Sequence, residues 1–317
     1  MKRKTTNDRQ LLQNSSDNTE GMPDKVFSLL NDFVFKCVFG QKKNAQLAIC
    51  LLNALLKKSG KSKITSLEFL NPFNLKEAAE QKISVVDVKV RDGENKAYII
   101  EVQVCKHEFF IARTVYYLAK LYSGQLMVGE DYSVLQPSTG ISILDFDLFK
   151  DSSEMHNIFE FRNSGDTLHL PTTMILHYIE LPKFGRNKPG HLRTPFEKWL
   201  EILKFSEKYI TMKRLPDYLS KEEGVAMAVS QLKKVNADRE MRQLLEAREK
   251  EARHLSLMKH LARKEGWENG RTEGKVEGKA EVALRMLGLG IDLELIKQAT
   301  GLSETELQTV ISNQQPE

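Results

Sequence analysis

Residues 81–105 read QKISVVDVKVRDGENKAYIIEVQVC, and they predict a β-hairpin. Val86, Val88 and Val90 alternate with Asp87 and Lys89 on the first arm. Ile100, Val102 and Val104 alternate with Glu101 and Gln103 on the second, which is the period-2 signature of strands. Asp92-Gly93-Glu94-Asn95 between them supplies the turn chemistry. Folding the arms about Glu94 sets Asp87 opposite Glu101. The branched aliphatic residues then share one face, and Asp87, Lys89, Glu101 and Gln103 share the other. Opposed residues have Cβ atoms about 5 Å apart, so the two carboxylates would repel. A divalent cation relieves that repulsion, because Mg²⁺ takes carboxylate oxygens. A solvated hairpin face that happens to carry acids is the other reading, and the hairpin alone does not choose between them.

Two helical patterns precede the hairpin. Phe27, Leu30, Val34 and Val38 recur at helix spacing, as do Leu47, Cys50, Leu51, Ala54 and Leu55 after Gly40. Asp32 and Lys36, four residues apart, share one face of the first helix, where they would form a surface ion pair. A strand is expected over 64–70, before the Asn71-Pro72 break. After the hairpin, 106–126 predicts a helix with Phe110, Val115, Leu118, Ala119 and Tyr122 on its apolar side. Arg113, Tyr117 and Lys120 share another side that suits phosphate contacts, and equally an ordinary helix surface. Further strands are expected over 140–149 and 174–181, with a shorter one at 168–170. Asp145 and Glu180 are acids within them of the kind that usually face solvent, and they stay outside the active set.

Bulk composition sets limits. The 317 residues are 41% hydrophobic with a net charge of +4, ordinary for a soluble protein and only mildly inclined towards nucleic acid. No apolar run reaches the ~18 residues of a membrane span, and the polar N-terminus lacks a secretory h-region. Residues 1–22 read as a disordered polar tail. Cys37, Cys50 and Cys105 are odd in number and set among apolar residues, as reduced core thiols of a cytoplasmic protein would be.

Beyond a linker at 185–190 the chain turns helical, with one long charged helix expected over 224–261. Gly266, Gly270, Gly274 and Gly278 then repeat every fourth residue. On a helix they would form a smooth stripe for self-association, at a cost of about 1 kcal/mol each against alanine; a flexible charged connector is the alternative. Short helices follow over 280–289, 292–300 and 303–311, the last opened by the capping box Ser303-Glu304-Thr305-Glu306. Residues 296–307 have a helix–Gly turn–helix look, but the second helix is acidic where a DNA reader wants Arg, Lys, Gln and Asn. A packing or dimerisation element is the favoured reading, giving a homodimer through the C-terminal region.

Seven segments in order carry a resemblance over about 28–185. They are Asn31-Asp32-Phe33-Val34-Phe35-Lys36 with Phe39-Gly40, 82–87, Glu101-Val102-Gln103, and Arg113 with Tyr116-Tyr117. Gly129-Glu130-Asp131-Tyr132, Ile143-Leu144-Asp145-Phe146 and Glu180-Leu181-Pro182-Lys183-Phe184 complete the set. This order resembles the PD-(D/E)XK nucleases, and within them the recombination-promoting nuclease/transposase (Rpn) family. The resemblance implies an α/β (α+β) restriction-endonuclease-like core over 23–185, a mixed sheet flanked by helices. A helical extension over 186–262 and a glycine-repeat segment with short helices over 263–317 would follow.

The resemblance further implies a DNA endonuclease, linked to recombination and mobile elements, that uses Mg²⁺ or Mn²⁺. Asp87 and Glu101 would hold the metal together with the main-chain carbonyl of Val102, and Asp32 would approach it. Gln103 stands where the general pattern has lysine, so Lys89 or Lys82 would supply the missing charge. A catalytically weak or inactive DNA-binding regulator on the same fold is the alternative.

Overall fold

The structure is a computed structural model that describes residues 25–58, 60–71, 87–168, 170, 173–185 and 192–312. The tail over 1–22, Lys82, and the linker beyond Gly185 lie outside the described residues. The chain divides into two compact units, Met1–Leu245 and Glu246–Glu317.

The first unit is built on a six-stranded sheet: β1 (Leu67–Phe69), β2 (Val88–Asp92), β3 (Ala97–Gln103), β4 (Ser138–Leu144), β5 (His156–Phe159) and β6 (Met174–Glu180). Its spatial order is β1-β2-β3-β4-β6-β5. β1, β2 and β3 form an antiparallel meander, β3, β4 and β6 run parallel, and β5 closes the edge antiparallel to β6. The hairpin has the expected register, Val88 facing Ile100 and Lys89 facing Ile99. In its turn Asn95 adopts φ 63°, and the Asp92 carboxylate accepts the N–H groups of Glu94 and Lys96 at 2.9 Å each.

Both faces of this sheet are covered. One face, with Val88, Val90, Ile100, Val102, Ile141 and Ile179, packs against helices α1 (Asp32–Phe39) and α2 (Ala45–Leu55). The other is covered by α3 (Phe110–Ser123), whose Leu118 and Leu121 meet Ala97 and Ile99. Alternation of apolar and charged residues normally marks a half-exposed strand. Here the charged half lies under a helix, because α3 is the crossover that joins parallel β3 to β4.

The helices after residue 185 share this core. They are α4 (Pro195–Thr211), α5 (Asp217–Ser220) and α6 (Val225–Ala237). Trp199, Ile202, Leu203, Val225 and Leu232 belong to the same buried cluster as the sheet's first face. Thr194 and Glu197 form a capping box that starts α4. Gly224 begins α6 at φ +80°, where a Cβ would come within 2.7 Å of the Cys50 Cβ, so the approach of α6 to α2 requires glycine.

Two expectations are corrected. The charged helix over 224–261 is two helices: Asp238 is extended, and its carboxylate accepts the Met241 N–H at 2.9 Å to start α7 (Arg239–Gly288). The short strand expected at 168–170 includes His169, which lies outside the described residues. On either side of it Leu168 accepts the Asn163 N–H at 3.0 Å and Leu170 donates to the Phe161 carbonyl at 3.1 Å, and His156–Phe159 is a strand beyond those expected. Cys105 is exposed, whereas Cys37 and Cys50 are buried, because it lies past the end of β3.

In the second unit the glycine repeat is helical, lying within α7. Among the described residues, nothing beyond the local helix backbone and chain neighbours comes within 4 Å of a Cβ position at Gly266, Gly270, Gly274 or Gly278. α8 (Leu293–Thr300) and α9 (Glu304–Ser312) close a small core of Ala283, Ile296, Leu302 and Leu307. Gly301 makes the turn between them at φ 62°, and the Ser303–Glu306 capping box is present.

Candidate active site

Asp87 stands one residue before the paired part of β2, and extending the hairpin register sets it beside Glu101. Its carboxylate accepts the Val102 N–H at 2.7 Å, which ties the acid to the strand that carries Glu101. Asp87 is 6% exposed and Glu101 3%.

Each acid faces a cation from a different layer. α1 is buried from Phe33 to Phe39, and a helix apolar nearly all round belongs in a core. Its lysine goes in with it, and Lys36 Nζ lies 3.3 Å from Asp87 Oδ1. From the opposite side of the sheet, Arg113 Nη2 of α3 lies 3.9 Å from Glu101 Oε2, too far for a hydrogen bond. Both Glu101 oxygens, and Arg113 Nε, are buried without a hydrogen-bond partner among the described residues. A buried acceptor left unpaired costs about 1–3 kcal/mol, more when charged.

The electrostatics follow from that burial. Desolvation pushes the Asp87 carboxyl up to about 6, against the opposing pull of Lys36 and the Val102 amide. Glu101 is pushed up to about 7 by burial first and by the charge of Asp87 second, with Arg113 and Lys36 opposing. Two raised carboxyls, one holding unpartnered oxygens, are the donor set that a hard cation would complete. Among the described residues no group of three or more His, Cys, Asp and Glu is arranged to hold a metal. Two carboxylates with a main-chain oxygen still suit Mg²⁺, which keeps several waters and binds through one or two carboxylates plus substrate phosphate.

A pH dependence follows. Both folded pKa values lie above the unfolded ones, so the stability these acids contribute is present below about pH 4 and lost as pH rises through 6 to 7. A metal needs the deprotonated form, so its stabilisation grows over the same window. Melting in Ca²⁺ and in EDTA should show a larger gain from Ca²⁺ at pH 8 than at pH 5.5. Equal gains at both would exclude these acids as ligands.

The remaining sequence candidates divide between buried and exposed positions. Gln103 is half-buried at the end of β3. Asp32 is exposed at the start of α1, yet its charge reaches Asp87 and raises its pKa. Lys89 is half-buried on β2 with Arg91 and Lys120 as the charges that act on it, and it is not among the charges acting on either acid. Arg113 turns inward to Glu101, Tyr117 packs against the Ala97–Ile99 cluster, and Lys120 is exposed. The apolar side expected for α3 is rotated: Val115 is exposed, while Thr114 is buried with its hydroxyl 2.6 Å from the Tyr178 hydroxyl. Glu180 is fully buried and satisfied structurally, accepting N–H groups from Leu148 and Phe149 and pairing with Lys183, while Asp145 is exposed.

Lys36 is the site residue that helix spacing alone assigns to a surface ion pair with Asp32. A second signal was available: a lone lysine inside DFVFKCVF, with large apolar residues on all sides, needs a buried partner.

Two family models match the chain. One, described as PD-(D/E)XK nuclease family transposase, covers residues 29–260. The other, described as the C-terminal HTH domain of the Rpn/YhgA-like nuclease family, covers residues 276–311. The second match identifies as a helix–turn–helix domain the segment that the acidic character of α9 had marked as a packing element. No curated protein and no solved structure matches the chain. A mixed sheet that buries an aspartate and a glutamate from one hairpin, under a family model spanning residues 29–260, establishes that the chain belongs to the PD-(D/E)XK nuclease family of transposases, in its Rpn/YhgA-like branch.

Proposed function

We propose that the protein is a DNA endonuclease that hydrolyses phosphodiester bonds with Mg²⁺ or Mn²⁺ and acts in recombination or on mobile elements. The observation that supports this reading is the pair of buried carboxylates, with both Glu101 oxygens left without a hydrogen-bond partner among the described residues. Asp87, Glu101 and the Val102 carbonyl would hold the cation. When bound, it lowers the pKa of a water and neutralises charge on the scissile phosphate. The chain's own residues orient and shield. Val102 N–H fixes the Asp87 carboxylate, α3 covers Glu101 from water, and Gln103 offers a neutral amide to orient the attacking water. Plasmid cleavage in Mg²⁺ that stops in EDTA is the test.

DNA would approach along the α3 side of the hairpin. Lys89 and Arg91 lie on that face of β2, opposite Ile99 and Ala97, which α3 packs against. Lys120 joins them from α3, and no carboxylate is among the charges acting on Lys89. Alanine at Lys89 or Lys120 should lower the log–log salt slope of DNA binding by about 0.9 for each phosphate that the lysine neutralises. An unchanged slope would remove both from the interface.

The C-terminal helix–turn–helix would add a second DNA contact, and the exposed glycine stripe of α7 a homodimer surface. No helix among the described residues is long and apolar enough to cross a membrane, and three free cysteines accord with a reducing cytoplasm. A catalytically weak or inactive DNA-binding regulator is the second reading, favoured by the neutral Gln103 where the general PD-(D/E)XK pattern has lysine. DNA binding without Mg²⁺-dependent cleavage, or cleavage that Asp87→Asn leaves unchanged and that therefore does not come from this site, would favour it.

A further inference from the structure

We propose that Lys36 is the positioning cation of this site: from helix α1 its ammonium supplies the positive charge that Gln103 does not. The inference rests on the nuclease reading and deepens it.

Placing a lysine here is costly. Lys36 is 3% exposed in a helix whose other residues from Phe33 to Phe39 are apolar and buried. Burying an ammonium costs several kcal/mol, and a well-packed apolar residue with an apolar partner in place of the acid is often at least as stable. A methionine or leucine at 36 would suit α1. A lysine there is therefore best explained by what its charge does at the site.

Its placement gives that charge a task. Lys36 Nζ reaches Asp87 Oδ1 at 3.3 Å, and its charge also acts on Glu101. Lys36 thus pairs with Asp87 and its charge is felt at both acids, whereas Arg113 acts on Glu101. In phosphodiester hydrolysis a water oxygen bonds to phosphorus as the bond from phosphorus to the leaving oxygen breaks. The water gives up a proton to solvent and the leaving oxygen takes one up. Negative charge grows on the phosphoryl and leaving oxygens, and fixed positive charge beside them stabilises it. Lys36 takes no part in these proton transfers; it holds Asp87 in place and adds to the field at the phosphate.

Two effects of opposite sign follow. Lys36 repels a divalent cation that enters between the acids, so Lys36→Met should tighten Ca²⁺ binding, measured by calorimetry at about pH 8, where the acids are ionised. The same change should slow single-turnover DNA cleavage in Mg²⁺ by roughly 100-fold, the scale for losing one electrostatic stabiliser. Gln103→Lys in the Lys36→Met background should restore at least part of that rate. Residue 103 shares the face of Glu101 about 7 Å along the strand, within reach of a lysine side chain.

A Lys36→Met protein that cleaves at the wild-type rate overturns the proposal. So does slower cleavage joined to weaker Ca²⁺ binding and no recovery with Gln103→Lys, because a structural clamp would behave that way. Should Lys36→Met fail to fold, Lys36→Gln keeps both measurements within reach under the same criteria. If the wild-type protein does not cleave DNA, the nuclease reading fails, while the Ca²⁺ comparison still decides whether Lys36 sets the charge of the site.

Discussion

Replacing Glu101 by glutamine is expected to abolish metal-dependent cleavage and, at pH 8, to make the metal-free protein more stable. The first effect follows from losing one of two carboxylates that would hold the cation, and should exceed ~10³-fold in rate. The second follows from the cost the carboxylate imposes. Its oxygens are buried without hydrogen-bond partners among the described residues and its pKa is pushed up to about 7. Ionising it at pH 8 therefore costs on the order of 1–3 kcal/mol. Glutamine has the shape of the protonated acid, so the gain should appear at pH 8 and vanish near pH 5. Asp87→Asn should also stop cleavage, with a gain in stability of the same sign at pH 8, because burial raises this pKa to about 6 even though the Lys36 ammonium 3.3 Å away offsets part of the cost. Melting temperatures of the two variants in EDTA, at both pH values, provide the check. A Glu101→Gln protein that still cleaves would end the metal assignment.

The second large effect lies far from the acids. Trp199→Ala should cost about 3–5 kcal/mol, because Trp199 is wholly buried, 6.0 Å from the Phe39 ring and packed against Gly224. The same packing predicts that a chain cut after residue 185 does not fold. It would bare the apolar surface of α1 and α2 that α4 and α6 cover. A chain ending at Leu245 keeps the unit intact. Urea unfolding of the two truncations separates the outcomes: a cooperative transition of wild-type midpoint in the shorter one would show that the helices after 185 are an accessory layer.

Local signals in the sequence determined the hairpin, its register and the ends of several helices. Period-2 alternation and an Asp-Gly turn act between near neighbours, and a slip of one residue would have turned Val88 and Ile100 off the core. Caps act within four residues, so the Ser303–Glu306 box was legible as well. The pairing of Asp87 with Glu101 belonged to the same short-range information. Tertiary structure alone decided what covered and completed the pair. Alternation identifies a charged face but not whether a helix lies over it, and α3 buries this one through contacts that also exchange Val115 for Thr114. Lys36 shows the limit most clearly. Sequence spacing offered Asp32 as its partner, four residues away on the same helix. The fold gave it Asp87 instead, at 3.3 Å, because a lysine carried into an apolar core must find an acid wherever the packing brings one.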